Sequence, residues 1–202
     1  MRPAHLSTSA LRIDKITVGP FENNAFIVRC LDTGEAVLID AANEHELLIP
    51  LATRFGVRRV LTTHGHWDHI QAVTAARDAG LDIAVSAADA GMLPSYDIII
   101  EPGELLVVGN LHLRAIATPG HTPGSLCFVL QEAPVCFSGD TLFPGGPGTT
   151  ALPGGNFEAI IASIDQSLFP LSGDTLVLPG HGLDTTIGCE RPHIAEWATR
   201  GW

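Results

Sequence analysis

The chain has 202 residues, 46% apolar and 16% charged, so it is long enough to bury a core and too apolar for disorder. Its net charge of −11, with Lys15 as the single lysine, argues against a nucleic-acid partner or an anionic membrane surface and leaves no P-loop lysine beside a Gly-rich turn. No run approaches the ~20 continuous apolar residues of a membrane helix, and residues 1–20 lack the apolar segment of a secretory signal, so a cytoplasmic location is expected.

Residues 1–10 read as a loose polar leader and residues 11–202 as one domain, since no compositional break marks a linker. Leu11–Val18, 25–31 and 35–40 have β-type composition, the first two separated by a turn-rich segment at 19–24. Leu47, Leu48, Leu51 and Phe55 recur at helical spacing within 43–55, with Asn43 the expected N-cap and Glu46 completing a capping-box pair. A strand at 57–63, a helix at 70–79 stopped by Gly80, a strand at Asp82–Ser86 and a short helix at 87–92 follow. In the second half, 104–108 and Leu111–Ala117 form a hairpin about Gly109-Asn110, and 125–130 with 134–138 form another. A Gly/Pro-rich loop at 144–155, read either as shaping a pocket mouth or as a passive turn, precedes a helix at 156–168. A strand at 175–178 and a terminal helix at 191–199 complete the chain. This order predicts an α/β protein: two mixed sheets packed together with helices outside, in two similar halves.

Cys30, Cys127, Cys136 and Cys189 show no Cys-x-x-Cys spacing. In the second hairpin Cys127 and Cys136 are expected on opposite sheet faces, so all four are read as buried, reduced thiols.

Five apolar runs each stop at a turn bearing a metal-capable residue. Val37-Leu38-Ile39 ends on Asp40, and Val60 to Thr63 on His64-Gly-His66-Trp-Asp68-His69. Ile116 to Gly120 ends on His121, Cys136 to Gly139 on Asp140, and Leu176 to Gly180 on His181. Strand ends hold side chains rigidly, and crevices in α/β sheets lie beyond them. If these ends converge, His64, His66 and His121 form one ligand set and Asp68, His69 and His181 a second, with Asp140 able to bridge through its two oxygens. Imidazoles and carboxylates with open positions suit two divalent ions, Zn first and Fe or Mn next. Asp40 is expected to fix a ligand histidine from behind. His5, His45, His112 and His193 read as surface or packing residues. No Gly-x-Ser-x-Gly elbow supports a serine hydrolase.

The His64–His69 run followed by His121, Asp140 and His181 resembles the metallo-β-lactamase superfamily, from about Leu11 to the end of the chain. The segments Thr118-Pro-Gly-His-Thr-Pro-Gly-Ser125 and Ser138-Gly-Asp-Thr-Leu-Phe143 are similar to its glyoxalase II-like branch, as is a carboxylate at Asp140, which true β-lactamases lack there. His66 in place of a glutamate separates the chain from the flavodiiron type, and the acidic balance from tRNA-processing members. The resemblance implies a four-layer αβ/βα sandwich and hydrolysis of a small-molecule thioester. The attacking hydroxide would lie between two metals and be oriented by Asp68. It transfers poorly to glutathione as the thiol, because loop 144–155 has no Lys, Arg or Tyr and only residues 182–202 follow His181. Two alternatives stand beside it: a mononuclear iron persulfide dioxygenase using His64, His121 and Asp140, and a non-catalytic metal-binding module.

Overall fold

The computed structural model describes residues 4–201. Strands β1 (Leu6–Ser7), β2 (Leu11–Val18), β3 (Asn23–Cys30) and β4 (Ala36–Ile39) open a sheet, antiparallel throughout. Helix α1 (His45–Arg54) carries the chain to β5 (Val57–Leu61), and α2 (Val73–Asp78) to β6 (Asp82–Ser86). Strand β7 (Ile98–Ile100) ends this sheet, and the pairs from β4 to β7 are parallel, which is what crossover connections require.

The second sheet begins with β8 (Leu105–Val108), β9 (Leu111–Ala117), β10 (Leu126–Leu130) and β11 (Val135–Gly139), again antiparallel. After a two-stranded ribbon of β12 (Leu142–Phe143) and β13 (Gly146–Pro147), α3 (Phe157–Ser163) continues into a π-helical turn at Ile164–Leu168. This crossover delivers β14 (Leu176–Pro179) parallel to β11, and β15 (Thr185–Thr186) closes the sheet before α4 (Ile187–Glu190) and α5 (Ile194–Arg200).

Three apolar clusters separate four layers. Ala25, Ile27 and Leu38 face α1 and α2, packing on Leu48, Ala52 and Val73. Their strand neighbours Phe26, Val28 and Ile39 face the other way and meet Phe128, Leu126 and Phe137 of the second sheet. Cys127, Val129 and Val177 form the far face of that sheet, under Ile160, Ile164 and Trp197. Strands buried on both faces therefore carry no polar alternation, whereas edge strand β8 leaves Leu105 and Val107 exposed. The expected sandwich, two mixed sheets between helices, is the architecture observed.

Several local expectations need correction. The leader is tied down in part, because Leu6–Ser7 pairs with Ile13 and Arg12. Helix α1 is capped at Glu44, in left-handed conformation, and the Asn43 side chain instead accepts from the Glu44 N–H at 2.6 Å. The helix expected at 70–79 is only Val73–Asp78, because Trp67–His69 forms a separate 3-10 turn. Strand β7, the β12–β13 ribbon and β15 lie in segments not read as strands. Cys127 and Cys136 share one face: Val129 pairs with Cys136, and an even-numbered turn puts residues 127, 129 and 136 on the same side. The Cys127 thiol donates to the Ser138 carbonyl at 3.4 Å, and all four cysteines are free, Cys189 being exposed.

Phe26 and Phe137 meet edge-to-face across the two sheets, ring centres 5.2 Å apart. Phe137→Ala is expected to cost about 3–5 kcal/mol of unfolding free energy, read from urea denaturation.

Candidate metal centre

Beyond β5 the chain bends at Thr63 and is extended at His66, then His69 N–H bonds back to the His66 carbonyl at 2.9 Å. This single 3-10 turn swings Asp68 and His69 to the same side as His64 and His66. The second sheet supplies His121 after β9, Asp140 after β11 and His181 after β14. Gly180 must lack a side chain, since a Cβ there would stand 2.2 Å from Asp140 Oδ1 and 2.7 Å from His69 Cε1.

All seven expected residues converge. The donor atoms of His64, His66 and His121 lie within 4.8 Å of one another, as do those of Asp68, His69 and His181, and of His64, His69 and Asp140. His66 Nδ1 is 2.8 Å from His121 Nε2, and His69 Nε2 is 3.1 Å from His181 Nε2. Asp140 stands between the triads, with Oδ1 3.4 Å from His69 Nε2 and Oδ2 3.5 Å from both His121 and His181.

The outward ring nitrogens are fixed. His64 Nδ1–H donates to Thr63 Oγ1 at 3.0 Å, His69 Nδ1–H to Asp40 Oδ2 at 2.9 Å, His121 Nδ1–H to the Thr149 carbonyl at 2.7 Å, and His181 Nδ1–H to the Phe21 carbonyl at 2.8 Å. Each bond makes Nδ1 the outward donor and leaves Nε2 as the nitrogen a metal would take. Asp40 also accepts from the Thr63 N–H and O–H, both at 2.7 Å, so its carboxylate braces His69 directly and His64 through Thr63.

Electrostatics divide the triads. Burial and the neighbouring histidines hold His64 well below the ordinary imidazole range, and burial with His121 lowers His66. Burial also opposes charge on His69, yet Asp140 and Asp40 outweigh it and raise its proton affinity strongly. Asp68 and Asp140 likewise prevail over burial at His181 and raise it. Burial pushes Asp68 up, but His181, His69 and Asn23 bring it well below the usual carboxylate range. His64 Nε2 and Asp140 Oδ1 are buried with no hydrogen-bond partner. Orphaned inward atoms and close nitrogen pairs in an N/O donor set fit divalent metal ions.

Three supports were absent from the sequence reading. Asn23 is buried and its Nδ2 donates to Asp68 Oδ2 at 2.9 Å, although it lies in a stretch that reads only as a turn. Thr63 lies inside the expected strand. Thr149 shows that loop 144–155 reaches the site through its backbone. His5, His45, His112 and His193 pair elsewhere, with Asp184, Glu46, Glu132 and Glu196.

The fold and this histidine–aspartate cluster define a metallo-β-lactamase-type protein, and the sequence model of the metallo-beta-lactamase superfamily matches residues 18–181. The chain belongs to that superfamily. It is 34% identical to the probable metallo-hydrolase YqgX of Bacillus subtilis over 88% of this chain and 93% of that protein. It is 33% identical to the hydroxyacylglutathione hydrolase GloC of Haemophilus influenzae, over 90% and 95%. Among solved structures, BLEG-1 B3 metallo-beta-lactamase superposes with TM-score 0.80 at 32% identity, covering 90% of this chain and 97% of that one. TTHA1623 in a di-iron-bound form gives 0.77 at 31%, covering 88% and 96%. ETHE1 from Myxococcus xanthus gives 0.80 at 28%, covering 90% and 82%.

A proton must leave an imidazole before that nitrogen binds a metal. Because His69 and His181 hold protons more tightly than usual and His64 and His66 less tightly, acid competes at a higher pH for the second triad. If each triad takes an ion, lowering the pH of cobalt-loaded protein should therefore release one before the other, seen as two steps in visible absorbance, with the Asp68/His69/His181 ion leaving first.

Proposed function

We propose that the protein is a metal-dependent hydrolase of thioesters, with one divalent ion on His64, His66 and His121, a second on Asp68, His69 and His181, and Asp140 between them. The observation that carries this reading is the convergence of two three-donor sets on one carboxylate, whose Oδ2 stands 3.5 Å from a histidine of each. When bound, the ions supply Lewis acidity, acidifying water and polarising the acyl carbonyl. Asp68, with Oδ2 held by Asn23, orients the attacking water by accepting its hydrogen bond. Hydrolysis joins that oxygen to the acyl carbon, breaks the C–S bond and yields an acid and a thiol.

Thioesters suit the site better than amides. Among the described residues, no lysine, tyrosine or thiol hydrogen-bonds to the seven residues, so a leaving amine would find no proton donor of that kind. A thiolate, with a pKa near ~8.5, leaves without one. The rim supports an apolar substrate portion: Phe21 and Trp67, each more than half exposed, meet edge-to-face at 5.2 Å beside His181 and Asp68. The nearby cation, Lys15, is engaged by Asp184 and the Gly182 carbonyl, both at 2.7 Å. Glutathione, with its carboxylates, fits this rim less well than an uncharged thiol. Zn is the metal favoured by the donor set.

A second reading, a mononuclear iron persulfide dioxygenase on His64, His121 and Asp140, is supported by the placement of these three donors in the same cluster, His121 Nε2 lying 3.5 Å from Asp140 Oδ2. Elemental analysis separates the two: two ions per chain with no oxygen uptake, against one iron with oxygen consumed.

Asp140→Ala should lose metal and reduce thioester turnover by more than the roughly 100-fold typical of losing a partner behind a ligand. Full turnover in a metal-poor Asp140→Ala protein would refute the proposal. Trp67→Ala should raise KM for aromatic thioesters about tenfold, equivalent to about 1.4 kcal/mol, with kcat little changed in steady-state assays.

A further inference from the structure

Asp89 follows β6, is fully buried, and belongs to neither triad. Its Oδ2 accepts from the Gly65 N–H at 2.8 Å and from the Thr122 hydroxyl at 2.6 Å, and its Oδ1 accepts from the Gly124 N–H at 2.8 Å. Gly65 separates His64 from His66, and Thr122 follows His121 directly. One carboxylate therefore ties together the two loops, from different sheets, that deliver all three imidazoles of the first triad. The approach is built for contact: a Cβ on Gly124 would stand 2.5 Å from Asp89 Oδ1 and 2.2 Å from Ser86 Oγ. The Thr122 hydroxyl is also aimed by Ser125, whose Oγ lies 2.7 Å away and accepts the Thr122 N–H at 3.1 Å. The second triad is braced by Asn23, Asp40 and the Phe21 carbonyl, of which Asp40 also reaches His64 of the first triad through Thr63.

We propose that Asp89 is a positioning residue for one ion of the metal centre: by clamping Gly65 to the Thr122–Gly124 turn it sets the spacing of His64, His66 and His121. The inference rests on the two-triad reading above. Three acceptor contacts and no donor role make the carboxylate hard to replace. An amide of the same shape turns an N–H₂ towards either Gly65 or Gly124, so one backbone N–H loses its acceptor and the loops separate. The penalty falls on the first ion and spares the second.

The test uses the full chain, stripped by chelator and titrated with Co²⁺ against a competing chelator. In a His181→Ala background the remaining tight site reports on the first triad, and in a His66→Ala background on the second. Asp89→Asn should weaken Co²⁺ binding tenfold or more in the first background and less than twofold in the second. It should also shift the His66 and His121 ring resonances of the metal-free protein. Equal weakening in both backgrounds, in step with a lower melting temperature of the metal-free protein, would reduce Asp89 to a folding residue and overturn the proposal, as would unchanged binding in both. Should Asp89→Asn fail to fold, Thr122→Val, which removes one donor and keeps both backbone contacts, decides: a several-fold loss in the first background alone supports the clamp, and no loss overturns it. Failure of the unsubstituted protein to bind two Co²⁺ would instead overturn the metal-centre reading itself.

Discussion

Face-to-face packing of the two sheets is the constraint on which everything else depends. Phe26, Val28 and Ile39 from one sheet and Leu126, Phe128 and Phe137 from the other bury a shared core, and the strand ends meet at one rim because the faces are pressed together. Backbone bonds stitch that rim: Leu126 N–H donates to the Thr63 carbonyl at 2.8 Å and Asn24 N–H to the Gly180 carbonyl at 2.7 Å. Apolar burial and backbone pairing of the strands that carry them thus bring the imidazoles and carboxylates together.

Left to themselves, the seven side chains are in conflict. Nitrogens face nitrogens at about hydrogen-bond distance, His64 is forced neutral while His69 is driven towards charge, and Asp140 keeps an unsatisfied buried oxygen. Such a cluster costs the fold unless cations offset it. Asp40, Thr63, Asn23 and the carbonyls of Phe21 and Thr149 hold the rings in this unfavourable arrangement, the usual signature of a site organised for an occupant.

The layered fold and the seven converging residues were legible in the sequence for a simple reason: each apolar run stops at a ligand-capable side chain, so strand and function share one local signal. What was not legible depends on contacts between distant segments. Asn23 and Asp89 lie 45 and 24 residues from the groups they hold, Asp68 and Gly65, and locally resemble ordinary turn residues. Thr149 acts through its carbonyl, which no side-chain pattern can announce. The facing of Cys127 and Cys136 turned on the parity of one turn, since a single residue more would have separated them. Asn43 had the right chemistry for a cap one position too early, because Glu44 takes the left-handed conformation instead.

The first sheet is drawn wholly from residues up to Ile100 and the second wholly from Leu105 onward. Each triad takes two members from the earlier segment and one from the later, so neither half carries a finished pair of sockets. On the proposed assignment, loading would come after docking, and a seated ion would work as a rivet across the seam. During synthesis, the newly emerged front half would leave the ribosome without a complete triad, which would delay capture of metal until the chain has committed to its final shape.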